Sequence, residues 1–193
     1  SRGLGDVYKR QNKVMEFVGP GVASLSADCR NGIDCMTTET TCWSSIWQTD
    51  GVTEEYLAGH GRADAYKELK PADVAYYDGC IELDLSKIEC MIALPMHPSY
   101  AYPIRELKAN AKDLLHEIET RANEQLSGKV KMDLVSKVRA DGSIYVDQGI
   151  VAGCSGGTYE NLCAVADILR GKSCGNGEFK FSAYPDSMPT YLE

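Results

Sequence analysis

An α/β fold is what this sequence predicts, on three observations. A short apolar run near the start ends in Gly19-Pro20-Gly21, a long stretch in the middle is apolar at helical spacing, and a β-branched segment near the end passes through glycines into a second helix. With 193 residues and 44% hydrophobic content, the chain has enough apolar material for one ordinary domain or for parts of two.

Taken in order, residues 14–18 (Val-Met-Glu-Phe-Val) read as a strand running into the glycine–proline turn. Residues 24–47 are rich in Ser, Thr, Cys and Asn, with Glu39 as their only glutamate, and read as packed polar backbone more than as an amphipathic helix. Asp50 or Thr53 caps a short helix through Leu57, and residues 63–69 read as another helical piece before Pro71. Ile81, Leu83 and Leu85 alternate with Glu82 and Asp84, the period of a half-buried strand. Pro95, Pro98 and Pro103 disfavour regular structure, so a boundary is placed there, dividing residues 12–98 from 99–193. Ile104, Leu107, Ala111, Leu114, Leu115, Ile118 and Ala122 predict one helix over 104–126 with a charged outer face. A shorter helical stretch then leads to the turn Asp141-Gly142. Residues 144–152 read as a buried strand, followed by Gly153-Cys154-Ser155-Gly156-Gly157 and a helix capped by Thr158, striped by Leu162, Val165, Ala166 and Leu169, and stopped by Gly171.

The net charge of −8 and a pI near 5.0 argue against nucleic acid or an anionic membrane as main partner, since both call for clustered Lys and Arg. No apolar stretch approaches the roughly 20 residues of a membrane helix. Eight cysteines stand at positions 29, 35, 42, 80, 90, 154, 163 and 174, in apolar contexts and without any C-x-x-C pair, which predicts reduced thiols in a cytoplasmic protein rather than a disulfide scaffold or a zinc ribbon. Residues 1–11 (Ser-Arg-Gly-Leu-Gly-Asp-Val-Tyr-Lys-Arg-Gln) read as the translation of a transposon-end sequencing adapter, so natural sequence is expected to begin near Asn12.

The chemistry concentrates at Cys154. A strand turning through glycines into a helix directs backbone N–H groups toward its loop, an environment that favours the thiolate, and the thiolate is the form that ligates iron or attacks an electrophile. On local features alone a single cysteine is more often a small packing residue. The wider pattern is more specific. Gly149-Ile-Val-Ala-Gly-Cys154-Ser-Gly-Gly-Thr-Tyr-Glu-Asn161 resembles the aconitase-family segment that carries the first cluster cysteine. Glu16-Phe-Val-Gly-Pro-Gly-Val22, Ser24-Leu-Ser26, Glu39, Ser45-Ile-Trp47, Tyr77-Asp78, Ile81-Glu82 and Leu85-Ser86 follow that family in order, whereas residues 104–141 match it poorly. The likeness is closest to an uncharacterised hydratase branch of the aconitase and isopropylmalate dehydratase superfamily.

The resemblance implies three-layer α/β/α domains, with this chain spanning the end of one (12–98) and the start of the next (99–193). It implies a hydro-lyase acting reversibly on a hydroxylated di- or tricarboxylic acid. A 4Fe-4S cluster held by three cysteines would offer its open iron as a Lewis acid. Cys154 would be one ligand, and the other two are expected as a C-x-x-C pair beyond Glu193, so this chain alone is expected to be inactive and to need the remainder of its own chain. Glu39 aligns with a glutamate that faces the active site; the plainer reading is a buried, hydrogen-bonded carboxylate. Two departures stand out: the family's asparagine four positions before that glutamate is Cys35 here, and its Thr-Asn after the cluster cysteine is Ser155-Gly156. The remaining seven cysteines, Cys35 included, are expected to be core or surface thiols.

Two other classes compete. Gly153-Cys-Ser-Gly-Gly157 satisfies G-x-S-x-G, which would make Ser155 the nucleophile of a serine hydrolase, although His60, His97 and His116 all precede it. A relative that has lost its cluster and serves as a binding protein, for RNA in particular, is opposed by the acidic balance.

Overall fold

The computed structural model describes residues 12–175 and 177–193. The adapter reading of residues 1–11 therefore lies outside the described residues. Two strand–helix–strand units and a helical hairpin-packed core make up an α/β chain. In the first unit β1 (Val14–Phe17) and β2 (Ser44–Trp47) pair in parallel, Val14 opposite Ser44 and Phe17 opposite Trp47, and the crossover carries a 3-10 turn at Pro20–Ser24 and helix α1 (Ala27–Glu39). Parallel neighbours require such a crossover. The reading of 24–47 as irregular polar backbone is corrected here: Ser26 caps α1 by accepting from Cys29 N at 3.1 Å, and the helix holds because its polar residues find partners. Asp34 accepts from Ser45 Oγ and from Trp47 Nε1 (2.7 Å), tying α1 to β2, where Phe17 and Trp47 stack with ring centroids 4.2 Å apart.

Helix α2 (Gly51–Gly59) starts as expected at Asp50, whose side chain accepts from Thr53 N. The same carboxylate grips Arg30, the most deeply buried charge of the unit. Arg30 Nη1 and Nη2 donate to Asp50 Oδ1 and Oδ2 at 2.8 and 2.7 Å, Nη2 to Val22 O at 2.9 Å, and Nε to Leu25 O at 3.1 Å. One guanidinium thus joins the glycine–proline turn, α1 and α2.

Beyond α2 regular structure thins out. The helix expected at 63–69 is a single 3-10 turn, Ala63–Ala65. No strand forms over 81–85; Ile81 and Leu83 are exposed, and Leu85 opens a short 3-10 turn and packs against Gly21. Alternation there reflects no partner strand, which is the one thing a period of two cannot supply. The segment instead straps back across β1: Lys13 Nζ pairs with Asp78 at 3.1 Å, and a hydrogen bond to Glu16 pushes the Tyr77 phenol up.

The proline-rich stretch is more ordered than expected. β3 (Met91–Ala93) and β4 (Ala101–Pro103) form an antiparallel hairpin whose turn contains the 98/99 division. It places Leu94, Tyr100 and Tyr102 against Leu107, Leu115 and Ile118, the main apolar core. The long helix divides into α3 (Ile104–Ala109) and α4 (Ala111–Gln125), because Asn110 leaves the helical region at φ −129°, ψ 34°. Its inward face is as the periodicity predicts: Ile118 and Ala122 are fully buried. The helical stretch before Asp141 shrinks to a 3-10 turn, Val135–Lys137, while Asp141-Gly142 forms the expected turn, Gly142 N donating to Arg139 O.

In the second unit β5 (Gln148–Val151) pairs in parallel with β6 (Lys180–Ala183). The crossover holds a one-turn helix α5 (Gly153–Gly156) and helix α6 (Tyr159–Leu169), and α7 (Met188–Leu192) follows β6. β5 is half exposed rather than buried, with Ile150 at 56%, and α6 has no buried residue. Buried parallel strands need neighbours and a covered face on both sides; two strands alone supply neither.

Candidate functional site

The site lies where the two units meet, at the contact between α1 and the turn α5. Gly153 sits at φ +85°, a conformation that favours glycine, and it lets β5 turn sharply so that Cys154 emerges exposed. Gly157 closes the same turn in a space with no room for a side chain: a Cβ there would lie 2.5 Å from Tyr184 O and 3.0 Å from Asp186 N. The cysteine is therefore presented on bare backbone, clamped against the strand after it.

The start of α6 is used differently from expectation. Thr158 is buried at the N-cap without a side-chain cap bond, and Glu160 N donates to Asp28 Oδ2 at 3.1 Å, while Ser26 Oγ donates to Glu160 Oε2 at 2.6 Å. The positive helix end thus receives a carboxylate from α1 and docks the two units; Cys154 stands one turn earlier, on α5. Sequence reasoning missed Asp28 in this role, because nothing near position 28 signals a partner more than a hundred residues away.

Docking fixes which α1 residues face Cys154. A Cβ on Gly32 would lie 3.6 Å from Ser155 O, and Ser155 Oγ approaches Met36 Sδ at 3.9 Å. Positions 32, 35, 36 and 39 share one helical face. Cys35 stands on this face near Cys154; burial pushes the Cys35 thiol up, and the neighbouring Cys154 thiol and Asp34 charge act in the same direction. Cys35 is a free, half-buried thiol, in keeping with the expectation of a core or surface thiol, but it stands at the contact with the glycine turn. Glu39 ends α1 on the same face and is exposed, not buried and hydrogen-bonded. A groove of about 470 Å³ runs alongside, lined by Cys29, Gly32 and Met36 from α1 and by Ser155, Thr158 and Asn161 opposite.

The donor set can be judged on its chemistry. A soft, exposed thiol on a glycine turn fits one corner of an iron–sulfur site. Among the described residues no group of three or more His, Cys, Asp or Glu gathers closely enough to hold a metal ion, so Cys154 alone would not hold such a site. The hydrolase reading finds no support among the described residues: Ser155 Oγ faces a thioether, His60 Nδ1 pairs with Tyr56 O, and His97 Nδ1 accepts from Ser99 N. Among the described residues no helix is long and apolar enough to cross a membrane.

Two parallel strand–helix–strand units that meet around an exposed cysteine on a glycine turn define a chain of the α/β class. A family model described as the Aconitase family (aconitate hydratase) matches residues 5–192, and the chain belongs to that family. It is similar to the 2,3-dimethylmalate dehydratase large subunit of Eubacterium barkeri, 29% identical over 179 residues that cover 93% of this chain and 34% of that protein. The 3-isopropylmalate dehydratase large subunit of Clostridioides difficile is 27% identical over 184 residues, covering 94% of the chain and 35% of the relative. A third, the 3-isopropylmalate dehydratase large subunit of Caldicellulosiruptor bescii, is 28% identical over 165 residues, 86% of the chain and 30% of the relative. The chain thus spans about a third of the length of these relatives.

Proposed function

We propose that the protein to which this chain contributes is a cytoplasmic iron–sulfur hydro-lyase that reversibly dehydrates a hydroxylated dicarboxylic acid, with Cys154 as one ligand of a 4Fe-4S cluster. The observation that carries the reading is the glycine turn that holds Cys154 exposed opposite the Glu39 face of α1. Cys154 would hold one corner of such a cluster, which when bound would supply Lewis-acid polarisation of the substrate's hydroxyl and carboxylate oxygens. Cys154 would contribute its thiolate sulfur, held in place by the rigid glycine turn. Glu39 offers a carboxylate that takes a hydrogen bond from the substrate hydroxyl and exchanges its proton as water leaves or adds.

Family membership supports the reaction class, and the relatives' names narrow the substrate. Dimethylmalate and isopropylmalate are both malates with alkyl substituents, and the apolar side chains of Ile33 and Met36 beside the groove suit such groups better than a third carboxylate. The relatives are named as large subunits, so a separate small subunit belongs to the proposed assembly, together with the remainder of this protein's own chain. The exposed Ile150, Ile168 and Leu192 are apolar surface for that remainder to cover.

With full-length protein and its small subunit, alkyl-substituted malates are expected to be dehydrated faster than citrate, read as the ultraviolet absorbance of the unsaturated acid. No turnover of any hydroxy acid by protein with its full iron content would contradict the reading. Within it, Glu39→Gln is expected to lower kcat by about 10²–10⁴, the usual worth of a positioned acid–base group, with iron content unchanged. A kcat within threefold of the parent would remove Glu39 from the chemistry.

A further inference from the structure

A second thiol, Cys35, half-buried on α1, stands at the contact with the glycine turn. Three contacts set its position. Gly32, one turn earlier on α1, abuts the Ser155 backbone; Met36, the next residue on, touches Ser155 Oγ; and Asn161 Nδ2 donates to Ser155 O at 2.8 Å, anchoring α5 to α6. Cys35 lies between the first two on the same helical face, opposite the residue that precedes Ser155, namely Cys154. Glu160, held by both Ser26 and Asp28, prevents α1 from sliding along this contact.

We propose that Cys35 is the resolving partner of Cys154: in the cluster-free protein the two form a reversible disulfide across the α1–α5 contact, which closes the ligand position until a thiol reductant reopens it. The consequence for iron rests on Cys154 being a cluster ligand; the disulfide itself does not. A disulfide needs its two cysteines within a narrow span of backbone and pointing at each other, and the packing around Gly32, where a Cβ would lie 3.9 Å from Ser155 Cα, brings α1 and the turn that carries Cys154 close together.

The oxidant is a low-molecular-weight disulfide such as oxidised glutathione. Cys154, exposed, attacks one of its sulfurs as thiolate, releasing one glutathione thiolate and leaving a mixed disulfide. Cys35, half-buried behind it, then attacks the Cys154 sulfur and releases the second glutathione. Two protein thiols give up two electrons and two protons, and one glutathione disulfide becomes two glutathione thiols. Among the eight cysteines, this arrangement singles out Cys35 and Cys154 for intramolecular pairing.

The test uses full-length apo-protein incubated with oxidised glutathione, alkylated and digested with trypsin. Cleavage after Arg30, Arg62, Arg139 and Arg170 gives peptides 31–62 and 140–170, which are expected to appear joined, with fragmentation placing the bond between Cys35 and Cys154 rather than Cys42 or Cys163. Cys35→Ala should leave Cys154 glutathionylated. Iron uptake by the oxidised parent on anaerobic reconstitution is expected to fall at least tenfold and to return after dithiothreitol. Alkylated Cys35 beside a glutathionylated Cys154 in the parent would overturn the disulfide and leave the ligand assignment standing. A mapped Cys35–Cys154 bond with iron uptake unchanged would uphold the disulfide and overturn the ligand assignment.

Discussion

Arg30→Met is expected to loosen the first unit by about 3 kcal/mol, the lower end of the about 3–5 kcal/mol lost when one partner of a buried ion pair is removed. The lower end applies because the Asp50 side chain remains 24% exposed and can be partly hydrated once its partner is gone, whereas that of Arg30 is only 6% exposed. Methionine replaces the stem and leaves the carbonyls of Val22 and Leu25 without their donor. In full-length protein this should appear as hydrogen exchange about a hundredfold faster in α1 and α2, at about 1.4 kcal/mol per tenfold, with α4 unaffected. Exchange unchanged in both helices would show that the guanidinium is not what joins them.

Acid should reveal the same pair. The hydrogen bond from Arg30 holds the Asp50 carboxyl below its usual range, against the opposing effect of burial, and the Thr53 N–H adds in the same direction. A carboxyl whose folded pKa is depressed contributes stability above its unfolded value, near about 4, and that contribution is lost as pH falls through the folded pKa. The difference between parent and Arg30→Met should therefore be full at neutral pH and shrink as pH drops below about 4.

What the sequence made legible follows from which interactions are local. The strand at 14–17, the Asp50 cap, the inward face of α4 and the turn from β5 through Gly153 into α6 all rest on periodicity, capping residues or glycine, which act within a few positions. α1 was hidden because its stability comes from contacts its own spacing does not show: Asp34 to Trp47, Arg30 to Asp50, Asp28 to Glu160. The alternation at 81–85 misled for the converse reason, since a strand exists only where a partner accepts its hydrogen bonds. At the proposed site, Cys154 and Glu39 stand out through family likeness alone, while nothing local to Cys35 marks it. Its placement beside the glycine turn depends on the docking of two units that lie far apart in sequence.

The largest effect is expected at Cys154. Serine keeps the size and the fit of the glycine turn, but its hydroxyl is a hard, weakly acidic donor where iron–sulfur chemistry uses thiolate. Because the side chain is exposed and Gly153 and Gly157 determine the backbone, Cys154→Ser should fold as the parent does. Dehydratase activity should nonetheless fall to background, since a cluster short of one protein ligand is neither retained nor held in register with substrate. Cys80→Ser and Cys174→Ser, at exposed positions away from the α1–α5 contact, should behave as the parent. The decisive measurement is iron and acid-labile sulfide per chain in anaerobically purified full-length protein. The account predicts about four of each in the parent and in Cys80→Ser, with a collapse of both in Cys154→Ser; parental iron and sulfide in Cys154→Ser would contradict it.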